Sequence, residues 1–281
     1  MVELHAHSTA SDGALSPKRL VALAASEKLT ALALTDHDTV DGLDEAVKAA
    51  EQYGIQFLPG IELEVDFNPG TFHLLGLALD RWTGRVRKRL EQSKKYRKER
   101  NLEMVRLMQE AGIPITYREL TELSGHDTVG RPHFAALLHK KGVIGSPHEA
   151  YASMIGNHGK FYRQKKSPHI GQACAAIHAA GGVAVLAHPH TLELDLHDLQ
   201  RSLLRWKSEG LDGIEAYNAT APIEDGHRFA ALGRELGLVV TAGSDFHTPY
   251  SGSRRIGIGP GGMPIEDAII DELLEYKHGL R

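Results

Sequence analysis

Ala31-Leu32-Ala33-Leu34-Thr35-Asp36-His37-Asp38 runs from four apolar side chains through a threonine into three consecutive ionisable ones. A short apolar run ahead of a helical stretch at 40–53 reads as a buried strand whose end carries polar chemistry. Three adjacent ionisable groups are costly to bury without a partner such as a cation. Asp38 is expected to cap the following helix, and His37 to bind metal. The same rhythm extends outward. Strands are expected at 2–7, 56–58, 61–65, 72–78, 183–187, 213–216 and 239–242, and helices at 17–28, 171–180, 196–209 and 224–236. Pro17 suits a first helical turn behind Ser16 as N-cap. Strand alternating with helix implies parallel pairing through crossover helices, hence an α/β fold. Polar residues collect just after the strands, on what would be one face, which favours a barrel over an open sheet.

At 281 residues the chain can hold one large domain, or a domain with a smaller companion. With 42% apolar and 24% charged residues, it is neither disordered, collagen-like nor a small stapled scaffold. The lone cysteine, Cys174, excludes an internal disulfide and a thiolate metal cage. Without an apolar span of membrane length or a secretory signal, a reducing cytoplasm is the expected location and no membrane partner is expected. The rhythm fails over 81–166, which is expected to be an inserted helical subdomain between barrel segments 1–80 and 167–281. Its apolar positions Val86, Leu90, Leu102 and Val105 have helical spacing. Residues 81–106 hold 11 Lys/Arg and 3 Asp/Glu, a local charge of +8 within a chain of net −4. That asymmetry reads either as an electrostatic surface or as a long helix wearing its charges outward.

His5-Ala6-His7 places two imidazoles on one face of a strand, a workable start for a metal site. Asp12 follows in a Ser-Asp-Gly turn, where Gly13 lets the backbone swing the carboxylate back. Glu62 and Glu64 share a strand face; Glu62 is the expected bridge between two cations, and Glu64 an outer or exposed group. His73, between Phe72 and Leu74, reads by itself as a core histidine. His188 ends a buried strand, and Asp245 with His247 repeats the strand-end pair. Five strand ends thus carry histidine or acid, a recurrence that independent accidents do not explain.

These residues carry a resemblance. His5-Ala6-His7 with Ser11-Asp12-Gly13, Thr35-Asp36-His37-Asp38, Gly60-Ile61-Glu62, Ala187-His188-Pro189 and Ser244-Asp245-Phe246-His247 resemble, in order, the motif set of the polymerase-and-histidinol-phosphatase (PHP) family. Gly130-Arg131-Pro132-His133-Phe134-Ala135 resembles the inserted region of its stand-alone branch of nucleoside 3′,5′-bisphosphate phosphatases and 5′-to-3′ exoribonucleases. The resemblance implies a distorted (β/α)7 barrel and three divalent ions. His5, His7, Glu62 and Asp245 would hold the first, Asp12, His37 and His247 the second, and Glu62, His73 and His188 the third. Mixed nitrogen and oxygen ligation without thiolate suits Mn, Fe or Zn, and the family favours Mn. Such ions acidify a bridging water to hydroxide and offset charge on phosphate oxygens, so phosphoester hydrolysis needs no side-chain nucleophile.

The expected substrate is a small phosphorylated nucleotide, such as a 3′,5′-bisphosphate, or the 5′ end of short RNA. Arg131 can grip a phosphate bidentately, with His133 beside it. Arg163 and Lys165 belong to a second basic run with Lys160 and Lys166 around Phe161 and Tyr162, where a base could stack. The branch has a Tyr-Val-Pro-like segment where this chain reads Phe161-Tyr162-Arg163-Gln164. His190 is a candidate acid for the leaving oxygen or a substrate contact. Two other classes fit parts of the pattern. An amidohydrolase-type C–N hydrolase also opens with His-x-His, and a non-catalytic nucleic-acid-binding or polymerase-accessory module would use the +8 segment.

Overall fold

In the computed structural model, which describes residues 1–83, 85–125, 128–250 and 254–279, the quoted apolar run is a fully buried strand. Strands β1 (Val2–Glu3), β2 (Ala31–Leu34) and β3 (Gln56–Pro59) pair in parallel in that order. The crossovers are α1 (Pro17–Ser26) and α2 (Leu43–Tyr53). Ser16 Oγ accepts the Arg19 N–H at 3.3 Å, with Pro17 in the first turn. The expectation for Asp38 is corrected: Gly42 holds the N-cap position of α2. Asp38 adopts φ +52° and donates its N–H to the Glu62 carbonyl at 2.9 Å, so this turn belongs to a strand crossing rather than to the helix.

The second sheet has the order β4 (Ile61–Val65), β5 (Phe72–Leu77), β6 (Val183–Leu186), β7 (Gly213–Asn218) and β8 (Val239–Gly243). Pairing is not parallel throughout, as expected from the rhythm: β4–β5 and β5–β6 are antiparallel. Only residues 66–71 join β4 to β5, too few for the dozen or more residues of a crossover. The parallel β6–β7–β8 portion does have its helices, α8 (Leu196–Ser208) and α9 (Ile223–Glu235). An earlier helix, α7 (Ile170–Ala179), precedes β6, and α10 (Ala268–Gly279) follows β8.

β3 and β4 are consecutive around Gly60, where a Cβ would lie 2.9 Å from the Leu34 carbonyl oxygen. The two sheets meet at two single parallel bridges, Ala6 with Phe246 and His37 with Glu62. Among the described residues the ladders thus form two sheets, joined by these bridges, in a mixed α/β fold. Leu4, Ala33, Leu75, Val185 and Leu273 belong to the apolar core of this part. Cys174 is buried, and desolvation pushes its thiol up to about 12, a range in which the reactive thiolate is scarce at neutral pH.

Contacts divide the chain into two units, 1–87 with 168–281, and 88–167. Helix α3 (Arg85–Glu110) leads into the second, followed by α4 (Tyr117–Ser124), α5 (Arg131–Lys140), α6 (Pro147–Ala150) and a π-turn at Tyr151–Ile155. Met104, Met108, Leu120, Phe134 and Leu138 are in its core. Of the expected helical stripe, Leu90 and Val105 are buried, Leu102 is 45% exposed, and the Val86 side chain lies outside the described residues. The basic run does not simply face outward, because Arg97 and Arg100 are each only 6% exposed. No described helix is long and apolar enough to cross a membrane.

Candidate metal centre

The strand ends converge on Glu62, which is fully buried and lies on β4. His73 Nδ1 and His188 Nε2 approach its Oε1 at 2.8 and 3.0 Å. His37 Nδ1, His7 Nε2 and His5 Nε2 approach Oε2 at 2.8, 3.3 and 3.4 Å. Asp245 Oδ1 faces His7 Nε2 at 3.1 Å and His5 Nε2 at 3.4 Å. Asp12 faces His247 Nε2 at 3.3 Å and His37 Nε2 at 3.8 Å. All nine sequence-selected residues therefore meet in one cluster, which includes the metal-capable groups His7/Asp12/His37/His247, His5/His7/Asp245, His5/Glu62/His188 and His37/Glu62/His73. Glu64, opposite His73 in the ladder, is half-buried.

Polar satisfaction and charge test whether cations suit this cluster. His5 Nε2, both nitrogens of His7 and Glu62 Oε2 are buried without a hydrogen bond, a state native proteins avoid. Burial would raise Glu62, but the imidazoles of His37, His73 and His5 hold it well below the usual carboxylate range. Asp12 and Asp245 are likewise depressed against burial, with His37 and His247 their respective strongest imidazole neighbours. Burial, with His247 and His37 alongside, lowers His7 to about 3, leaving a neutral imidazole fit to coordinate. His247 is raised to about 9, because the fields of Asp12 and Asp245 outweigh burial. Carboxylates that stay ionised against burial and imidazoles without hydrogen-bond partners are a donor set that divalent cations satisfy.

Four supporting residues were not selected from the sequence. Glu3, fully buried, accepts the N–H groups of His5, Ser244 and Gly257 at 2.9, 3.0 and 2.9 Å and the Ser244 hydroxyl. Asp36 accepts the Ser8 N–H at 2.8 Å and the hydroxyls of Ser8 and Ser11 at 2.7 and 2.6 Å. It thereby braces the loop that carries Asp12. Burial raises Asp36 to about 6. Arg254 donates through Nη1 to the Asp245 carbonyl at 2.9 Å and to Oδ2 at 2.8 Å, leaving Oδ1 turned to the histidines. Glu215 accepts from His5 Nδ1 at 2.9 Å. An isolated acid on a strand carries no spacing signal; a Glu-His pairing across 210 residues is visible only in three dimensions.

The expected substrate contacts are divided between the two units. His190 lies beside the cluster, its ring 6.2 Å from that of His188 and its Nε2 3.0 Å from the Thr220 hydroxyl. Arg131, His133, Arg163 and Lys165 belong to the helical unit. Arg131 Nη1 donates to Asn157 Oδ1 at 2.9 Å and its guanidinium lies over the Tyr162 ring at 5.5 Å. His133 Nδ1 accepts the Gly130 N–H at 2.9 Å, closing the start of α5. Arg163 is exposed, whereas Lys165 is 2% exposed. Phe161 is corrected as a stacking candidate: it is 5% exposed and packs in the apolar core of this unit.

This convergence of imidazole and carboxylate at strand ends is a donor set that could hold metal ions. The chain belongs to the PHP domain family, whose profile matches residues 3–180. It is 33% identical to a 5′-3′ exoribonuclease of Haemophilus influenzae over 88% of this chain and 90% of that protein. It is 32% identical to a 3′,5′-nucleoside bisphosphate phosphatase of Chromobacterium violaceum over 91% and 90%. Among solved structures it is similar to a Bifidobacterium adolescentis protein described as a metal-dependent phosphoesterase, with TM-score 0.85, 29% identity, and coverage of 98% of this chain and 96% of the other.

Proposed function

We propose that the protein is a divalent-metal phosphoesterase that hydrolyses a phosphate ester of a small nucleotide, such as a 3′,5′-bisphosphate, or acts as an exonuclease on the 5′ end of short RNA. The observation that carries this reading is the position of Glu62, whose two oxygens together face five imidazoles at 2.8–3.4 Å. His5, His7, Glu62 and Asp245 would hold a first cation, Asp12, His37 and His247 a second, and Glu62, His73 and His188 a third, with Mn the first choice and Fe or Zn compatible. Bound divalent cations supply a water acidified toward neutral pH and positive charge against the phosphate oxygens. His190, with Nε2 turned to the Thr220 hydroxyl, is assigned to the substrate side, as acid or contact. Arg131 is assigned to a phosphate: Asn157 and Tyr162 hold its guanidinium, and an ordered planar fork suits bidentate recognition. His133, Arg163 and Lys165 complete the proposed substrate set.

The same reading counts β3 and β4 as one strand bent at Gly60, which makes the two sheets and their bridges a distorted (β/α)7 barrel in segments 1–80 and 167–281, with 81–166 as the helical insert. The relatives' substrates support the nucleotide choice, since they are named for a nucleoside bisphosphate and for RNA. The test is product release by Mn-loaded protein from a panel of a 3′,5′-bisphosphonucleotide, 5′-phosphorylated oligoribonucleotides of increasing length, histidinol phosphate and an amide. Turnover of either nucleotide class, abolished by chelation, supports the reading. Failure on every phosphoester would overturn it, and amide cleavage alone would replace it with C–N hydrolysis.

A further inference from the structure

We infer that Glu215, locked from behind by Asn218, is the positioning carboxylate of the centre and holds two candidate ligands, His5 and His188, at once. The inference rests on the metal reading above. Its origin is an irregularity in β7. Glu215 pairs with Thr241 and Tyr217 with Ala242, so two steps of β7 oppose one step of β8. In a regular strand, residues three apart point to opposite faces; the extra residue of a bulge resets that alternation. Glu215 and Asn218 consequently share a buried face, with Asn218 Nδ2 donating to Glu215 Oε2 at 3.0 Å. The Asn218 amide is itself oriented, because its Oδ1 accepts the Thr220 N–H at 2.9 Å and the Thr220 hydroxyl at 2.5 Å.

The remaining capacity of Glu215 is spent on the centre. Oε1 lies 2.9 Å from His5 Nδ1, and Oε2 accepts the His188 N–H at 2.8 Å. A proton held on Nδ1 by a carboxylate leaves the His5 Nε2 lone pair facing Glu62 and Asp245, each at 3.4 Å. His188 adopts φ +27°, a conformation L-residues rarely hold, and its N–H bond to Glu215 fixes the turn that brings its Nε2 within 3.0 Å of Glu62. An independent feature protects the contact. At Gly243 a Cβ would lie 2.3 Å from His5 Cβ and 2.5 Å from Glu215 Oε1, so the neighbouring strand makes room by having no side chain there.

Competition of Mn²⁺ against a chelator, in wild type, Glu215→Gln and Asn218→Ala, tests the assignment. Glu215→Gln should weaken tight binding by about 10–100-fold, the usual cost of losing an outer partner of a ligating histidine. An amide facing His5 either donates to Nδ1 and moves the proton to Nε2, or turns its NH₂ onto the His188 N–H. Nitrogen NMR of histidine-labelled, Zn²⁺-loaded protein should therefore show His5 protonated on Nδ1 with Nε2 free for the metal in wild type, and in Glu215→Gln either loss of that signal, as the proton moves to Nε2 and His5 leaves the metal, or a displaced His188 backbone amide, as the NH₂ turns onto it. Asn218→Ala should weaken binding about 5-fold, as expected for one lost hydrogen bond, and it decides the matter should Glu215→Gln fail to fold. Wild-type affinity in either folded variant, with only the melting midpoint of the metal-free protein lowered, would overturn the inference and reduce the pair to a structural contact. Absence of Mn²⁺ binding by the wild type would instead overturn the metal reading, before any variant is compared.

Discussion

Substituting Gly13 by alanine is expected to displace Asp12 and lower turnover on the order of 100-fold, in a protein that still folds. A Cβ on Gly13 would lie 2.3 Å from the His7 carbonyl oxygen, 2.5 Å from its carbon and 2.8 Å from Ser8 N. All three are backbone atoms, so no side chain can rotate out of the way. Ordinary contact begins at 3.4 Å, which requires the loop to retreat by about 1 Å from its 2.3 Å approach. The loop is tied at Ser8 and Ser11 by Asp36, and the Gly13 N–H donates to the Ser8 carbonyl at 2.9 Å. The displacement therefore falls on Asp12, which faces His247 and His37 at 3.3 and 3.8 Å. A misplacement of about 1 Å in an active site can cost about 100-fold in rate, and overpacking costs about 1–3 kcal/mol of stability. Phosphate release at saturating Mn, metal content and the thermal midpoint measure the three consequences. Gly54→Ala is the control: Gly54 has φ +68° and nothing within 4 Å of an added Cβ, so it should cost about 1 kcal/mol of backbone strain and leave turnover unchanged. Wild-type turnover and metal content in Gly13→Ala would refute the reasoning, by showing that the loop admits the methyl group without moving Asp12.

Asp12→Ala and His247→Ala should each abolish turnover while retaining the wild-type circular dichroism spectrum; full activity in either would remove their cluster from the mechanism. Chelation should lower the melting midpoint, and Mn should restore it, with about 2.7 kcal/mol of stabilisation at 100 times the dissociation constant. No shift would mean that the folded cluster does not bind the ion. His178, which is not among the candidate ligands, tests a separate pH effect. Its hydrogen bond to Asp212 at 2.7 Å raises it above 6.5 despite the opposing pull of burial. Stabilisation from this pair is complete below pH 6.5 and lost as pH rises through the raised folded value. The side chain is 39% exposed, so solvent screening keeps the effect small. The melting difference between wild type and His178→Ala should be larger at about pH 6 than at about pH 9, and equal differences would contradict the assignment.

His37, His188 and Asp245 were legible because each follows an apolar run short enough to be a strand, and the i, i+2 spacing of His5 with His7 and of Asp245 with His247 fixes a common face; His73, inside a strand, read as a core histidine until the family resemblance made it a ligand. What surrounds them was not. Glu3 and Glu215 are single acids inside strands, and only the fold reveals that they accept backbone and imidazole N–H groups from residues far along the chain. Asp38 was misread because an aspartate ahead of a helical stretch satisfies the capping pattern, while its positive φ comes from the crossing with Glu62. Pairing direction needed the 66–71 connection to be weighed as too short. Phe161 was misread because a surface run of cations was given its aromatics without asking which face the core would take.

The bridge between Ala6 and Phe246 also sets an order of events. His5 and His7 are made first but find Asp245 only when nearly the whole described chain is present, and Glu3 waits for Ser244 and Gly257 across 241 and 254 residues. Contacts of such separation incur their loop-closure cost before they return any stabilisation, and they slow folding. The cation site is therefore completed last, by the same contacts that join the first strand to the last. A chain interrupted before Asp245 keeps β8 and seven of the nine candidate ligands, yet lacks Phe246, the bridge partner of Ala6 between His5 and His7. Capture of metal then reports a finished fold, and release of metal should be among the earliest signs that β1 has parted from β8.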